Sequence, residues 1–187
     1  GVALILLPRG IPARWLGGVM LLPLLYTPRA PIAQGQYLAH VLDVGQGLAV
    51  LIQTQRHTLL FDTGAAANGS RVILPVLRHV GAARLDTLML SHNDLDNIGA
   101  ALEVLQQLKV RQIRHSLPAL HPLLRTAPEQ QVCQAGQAWD WDGVHFAILW
   151  LRSDYLASSD NAKSCVLRVD NGRHSLLIPA DIARREE

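Results

Sequence analysis

From residue 37 onward the apolar residues of this chain come in short runs, and most runs are closed by Gly, Asn or Asp. Short apolar runs between turn signals suit strands buried in a sheet. Residues 37–44 read as a strand and 48–54 as its apolar partner, with Gly45-Gln46-Gly47 as the tight turn between them. Residues 58–62 form a third strand, bounded by Thr63-Gly64. Helix-like spacing covers 72–80, and Gly81 is a natural stop. A central strand follows at 85–90, then an amphipathic helix at 98–108 and a short strand at 110–113. Residues 116–131 are Pro-bearing and irregular. Residues 139–142 end a strand at Gly143, 144–149 form the next, and 165–169 with 174–178 make a hairpin around Asn171-Gly172. In the tightest hairpins both turn residues take positive φ, which favours this pair. Strands, helix, strand, helix and strands again describe an α/β layered domain.

The beginning of the chain differs. Residues 1–7 are continuously apolar, Pro8-Arg9-Gly10-Ile11-Pro12 is a turn-rich connector, and residues 15–26 are apolar with Trp15 and Tyr26 at the edges. Interfacial aromatics sit in such positions. A full span needs about 20 apolar residues, so the second run reads either as part of a membrane region or as a core helix. Arg9 and Arg14 in the connector place it on the cytoplasmic side and everything beyond Arg29 outside. This gives three parts: the end of a membrane region at 1–27, a linker at 28–36 and a domain at 37–187.

The apolar share is 49%, and much of the excess over an ordinary soluble composition lies in that first part. The net charge is +2 without a basic run, so no clustered phosphate-binding field is evident. Arg71, Arg78, Arg84, Arg111, Arg114 and Arg125 read as a solvated surface. Cys133 and Cys165 lie in no metal-binding pattern and read as small buried residues; nothing in the sequence supports a disulfide between them. Trp139 and Trp141 alternate on one strand face, where core packing is favoured over base stacking. His40, His57, His79, His115, His121, His145 and His174 read as surface or satisfied core residues.

The chemically informative stretch is Ser91-His92-Asn93-Asp94-Leu95-Asp96-Asn97-Ile98-Gly99, between a central strand and a helix. Loops at strand ends carry sites because the sheet holds them. His92, Asp94 and Asp96 combine imidazole and carboxylate donors, a set that suits zinc or manganese. The same acids would also suit a polar loop that caps the following helix. Asp62 and Asp181 end two other strands and would point to the same rim.

His40-Val41-Leu42-Asp43-Val44-Gly45-Gln46-Gly47, Leu60-Phe61-Asp62-Thr63-Gly64, the stretch 85–99, Trp141-Asp142-Gly143-Val144 and Ser164-Cys165-Val166-Leu167 occur in order. That series resembles the hydrolase domain of the ComEC competence family, within the metallo-β-lactamase superfamily. Leu7-Pro8-Arg9-Gly10 and Arg14-Trp15-Leu16-Gly17 resemble that family's last membrane segments. The resemblance implies a metallo-β-lactamase-like αββα sandwich, represented by its N-terminal half and preceded by an apolar membrane-type segment. It implies a bacterial inner-membrane channel for DNA uptake, with the soluble domain on the outer or periplasmic side. DNA, the membrane and other competence proteins would be its partners. By the same resemblance His92, Asp94, Asp96 and Asp181 would be metal ligands. Asp96 would also orient or deprotonate the attacking hydroxide, with Asp43, Asp62, Asn97 and Ser164 around the rim.

The sequence also departs from that pattern. Asn97 stands where the family has His, Gly99-Ala100 replaces a glycine pair, and Asn161-Ala162-Lys163-Ser164 replaces Asn-Asp-Asn-Ser. Pro179-Ala180-Asp181 replaces Thr-Gly-Asp, and the chain stops at Glu187 before the family's later His-rich loop. These departures imply an incomplete metal site and a C-terminally truncated domain. Two functions follow: a metal-dependent phosphodiesterase or nuclease domain of a DNA-uptake channel, or a catalytically lapsed module of the same fold that guides DNA or braces the channel. A soluble small-molecule metallohydrolase is a weaker third, opposed by the apolar N-terminus.

Overall fold

The computed structural model describes residues 14–22, 30–126, 129–150 and 160–182. The chain divides into two compact units, Gly1–Pro31 and Ile32–Glu187. In the first, α1 spans Arg14–Val19. The apolar run at 1–7 and the end of the second run, 23–26, lie outside the described residues. Among the described residues no helix is long and apolar enough to cross a membrane.

The second unit holds two sheets. The first runs in the order β1 (Leu38–Val41), β2 (Val50–Gln53), β3 (Thr58–Phe61), β4 (Arg84–Leu90), β5 (Lys109–His115) and β6 (Gln130–Val132). Its first three strands are antiparallel meanders, and β3 to β6 are parallel. Parallel neighbours need crossovers, supplied here by a π-helical turn at Gly69–Ile73 leading into α2 (Leu74–His79), and by α3 (Leu95–Ile98) with α4 (Ala101–Gln107). The second sheet is antiparallel, in the order β10 (Ser175–Ile178), β9 (Val166–Asp170), β8 (Val144–Trp150) and β7 (Ala138–Trp141).

The apolar runs follow from the layers. Leu60, Leu88 and Leu90 face the helices and meet Ile73, Leu77, Ala101 and Val104. Their neighbours Leu59, Phe61 and Met89 face the second sheet and meet Phe146, Leu167 and Val169. A strand buried on both faces has no polar side, hence the unbroken Leu59-Leu60-Phe61. Each large side chain so buried contributes roughly 1.5–3 kcal/mol. The described residues make three layers: helices, sheet, sheet.

Several sequence expectations are corrected. The strand expected over 37–44 is only Leu38–Val41, largely exposed because β1 is an edge. The helix expected over 98–108 is two helices, broken at Gly99-Ala100. A Cβ on Gly99 would run into the backbone of Ala66, so only glycine permits that crossing. Asn171 does not adopt positive φ; the β9–β10 loop spans four residues, with Asn171 Oδ1 accepting from the Arg173 and His174 amides. The two-residue positive-φ turn lies instead at Asp142-Gly143 between β7 and β8, with φ 52° and 82°.

The largest correction is covalent: Cys133 and Cys165 form a disulfide, with Cα atoms 5.9 Å apart. Cys133 follows the last strand of the first sheet and Cys165 precedes β9 of the second, both with no exposure. The bond therefore staples the sheets from within. Closing a loop of that separation, 32 residues, contributes about 3–4 kcal/mol through the unfolded chain. Nothing in the local pattern announces it, because the sandwich, not the spacing, brings the cysteines together.

Candidate functional site

Asp62 ends β3 with φ 55°, a left-handed backbone that a non-glycine residue adopts at a cost. That turn aims its carboxylate across to the end of β4. The Ser91 amide donates to Asp62 Oδ1 at 2.7 Å, the Ser91 hydroxyl lies 2.6 Å from Oδ2, and Asn97 Nδ2 donates to Oδ2 at 3.1 Å. Ser91 Oγ also lies 2.9 Å from His92 Nδ1, and Ser164 Oγ approaches the same nitrogen at 3.3 Å. The chain Asp62–Ser91–His92 thus fixes the imidazole from its Nδ1 side. Its Nε2 is buried without a hydrogen-bond partner and lies 3.6 Å from Asp181 Oδ2.

Burial pushes the Asp62 carboxyl up to about 7, against the hydrogen bonds from Ser91 and Asn97 that pull it down, and the Asp181 charge adds to the rise. A carboxylate with neutral donors only is half protonated near neutrality at that value.

The other expected residues divide. Asp94 is the N-cap of α3, extended at φ −126° and ψ 140°, and its exposed side chain makes no capping hydrogen bond. Asp96 Oδ1 is buried and unpartnered, as is Asn97 Oδ1. Asp43 is exposed and accepts from the Gly45 amide within its own turn. That turn nevertheless belongs to the site's wall. A Cβ on Gly47 would overlap the Asp96 carbonyl, so the Gly45-Gln46-Gly47 turn seats directly on the metal-type loop. Ser91 is the residue the sequence reading missed; its signal is a hydroxyl at the strand end, directly before His92.

Two donors converge at this rim, His92 Nε2 and Asp181 Oδ2. Among the described residues no three of His, Cys, Asp or Glu are grouped to hold a metal ion. A structural zinc takes four protein ligands and a catalytic one three. The described residues therefore do not fit a complete metal centre.

This arrangement of layers and rim can be set against known proteins. The profile of the metallo-beta-lactamase superfamily matches residues 42–186. The chain belongs to the metallo-beta-lactamase superfamily. Its superfamily fold is also that of a metallo-beta-lactamase from Cronobacter sakazakii with a mutated HARLDQ motif. That structure aligns with a TM-score of 0.55 at 17% identity, over 76% of this chain and 62% of the other. Two superfamily relatives bear out the ComEC-type resemblance. Competence protein ComA of Neisseria gonorrhoeae is 38% identical over 187 residues, 98% of this chain and 25% of that protein. Recombination protein 2 of Haemophilus influenzae is 38% identical over 151 residues, 78% of this chain and 18% of that protein. The chain thus spans a quarter or less of the length of these relatives.

Proposed function

We propose that this chain is the metallo-β-lactamase-like domain of a bacterial DNA-uptake protein of the ComEC type, with the end of a membrane region at 1–27 and a linker at 28–36. The observation that carries the reading is the 38% identity to a competence protein across 98% of the chain, which includes the apolar beginning. The protein sits in the inner membrane with this domain on the outer or periplasmic side. The Cys133–Cys165 disulfide supports that side, because such bonds persist in oxidising compartments. DNA, the membrane and other competence proteins are its partners.

At the rim, the geometry favours a DNA-guiding or structural module over a self-sufficient nuclease. Asn97 turns its amide inward onto Asp62, and the donors brought together number two. A second reading draws on the buried, unpartnered His92 Nε2 and Asp96 Oδ1. In that reading His92, Asp94, Asp96 and Asp181 would hold zinc or manganese together with ligands this set lacks, and Asp96 would orient the attacking water. Elemental analysis of the purified chain and of Asn97→His, with a nuclease assay on each, separates the two. The guiding reading expects less than one metal per wild-type chain and no cleavage. Stoichiometric metal with metal-dependent DNA cleavage by wild type would establish the enzyme.

A further inference from the structure

Alongside β4, from Asp86 towards the level of Met89, the register partner of Arg114, a hollow of ≈150 Å³ opens between the sheets. It is lined by Asp86, Arg111, Gln112, Arg114, Trp139 and Trp141. Arg114, expected on a solvated surface, is 8% exposed, and its guanidinium lies 4.0 Å over the Trp139 ring. Among the described residues, Arg114 Nε and Trp139 Nε1 are both buried hydrogen-bond donors without an acceptor. Native folds pair nearly all such groups, so two orphaned donors on one hollow call for an acceptor from outside the chain.

The chemistry of the hollow narrows that acceptor. One face of Trp139 carries Arg114 and the other stacks on Phe146, with centroids 5.2 Å apart. His57 stacks on Trp141 at 4.9 Å. Trp139 therefore has no face left for a base, and the hollow is too small for a nucleoside. Gln112 Nε2 is engaged with Thr87 Oγ1. Asp86 is answered by the Thr58 amide at 2.9 Å and Arg84 at 3.6 Å. Arg84, Arg111 and Arg114 face Asp86 and Glu129, whose charge acts on Arg114, so the surroundings keep a positive excess. Arg111 stands exposed at the mouth. Two donors in want of an acceptor, a small volume and positive charge suit an oxyanion.

We propose that this hollow seats a phosphate group of a single DNA strand, gripped by Arg114 Nε and Trp139 Nε1 and attracted by Arg111. The inference rests on the DNA-uptake reading above. A seat that takes the backbone and leaves the base outside is indifferent to sequence.

The test is NMR of the ¹⁵N-labelled full chain, following the Trp139 indole N–H, assigned with Trp139→Phe. The chain is titrated with an oligothymidylate and, separately, with inorganic phosphate. The expected result is a shift of that resonance with the oligonucleotide at phosphate concentrations where the free anion has little effect. Trp139→Phe keeps an aromatic ring against Arg114 and Phe146 but removes the donor along with part of the indole, so it should bind the strand several-fold more weakly, with any loss of Tm measured beside it. Arg111→Gln should also bind more weakly and lower the log–log salt slope by roughly 0.7. If the oligonucleotide binds but the Trp139 resonance stays still and both variants match wild type, the seat is wrong and the DNA reading stands. If free phosphate acts as well as the strand, the seat is an anion site and its assignment to DNA is overturned. If neither binds, both the seat and the DNA reading fall.

Discussion

Asp62 and Asp142 each follow a strand, each holds a left-handed backbone (φ 55° and 52°) and each is buried, yet their carboxyl groups are driven in opposite directions. Asp142 accepts from Thr54 Oγ1 at 2.7 Å, the Arg56 amide at 2.8 Å and Arg56 Nε at 2.9 Å, with His57 Nδ1 at 3.0 Å. Burial acts to raise its pKa, but the bonds from His57, Thr54 and Arg56 outweigh it and hold the group well below the usual carboxylate range. Asp62 has only the neutral donors of Ser91 and Asn97, and burial wins. Similar backbones thus make a latch that joins the two sheets at one place and a poised acid beside His92 at the other. How deeply each carboxyl lies, set against how many hydrogen bonds it accepts, decides which.

The comparison can be broken most forcefully at Asp62. Its folded-state pKa lies above the unfolded value, so its share of stability is full below about pH 4 and is lost as pH rises towards about 7. Denaturation midpoints should report a loss on the order of 4 kcal/mol across that interval. Asp62→Asn should abolish the slope and leave the fold no weaker at pH 8, since Asn97 can turn its unpartnered Oδ1 towards the new amide. A slope retained in the variant would contradict the assignment. Next in size, Cys133→Ser should cost about 3 kcal/mol. Hydrogen exchange should then rise at Ser91, His92 and Ser164, because the Cys165 amide is bonded to the Ser91 carbonyl at 2.9 Å, while the Asp142 turn stays protected. Equal loosening at both ends would deny that the disulfide serves the rim. Asp142→Asn should cost about 2 kcal/mol at neutral pH. It should also flatten the acid limb, where a depressed carboxylate loses its contribution as pH falls below about 4. Smallest, Thr54→Val removes one donor from that latch and should cost about 1 kcal/mol in urea unfolding.

The layered fold was legible because β2, β3 and β4 bury both faces, and a doubly buried strand writes itself as an apolar run. Edges are harder: β1 has solvent on most of its positions, so its ends dissolve into the neighbouring loop. The break at Gly99 depends on where Ala66 passes, and the disulfide depends on how two sheets stack; neither is a local property. The site divides in the same way. Strand-end positions 62 and 92 converge because one sheet aligns their strand ends, and that alignment is readable; 181 joins them only because the second sheet stacks on the first. Asp43, by contrast, answers its own turn, and Asp94 faces solvent from the start of α3. Arg114 reads as surface in a linear sequence, but its strand alternation turns it between the sheets.

The disulfide closes a covalent ring around β7 and β8. A pull applied to the two ends of the chain would pass from residue 133 to residue 165 through sulfur and skip everything between. A separation of 32 residues corresponds to roughly 110 Å of contour that never pays out under load. That ring sets a hard limit to extension: the half of the second sheet holding Trp139 can be dragged but not unravelled until the bond is reduced.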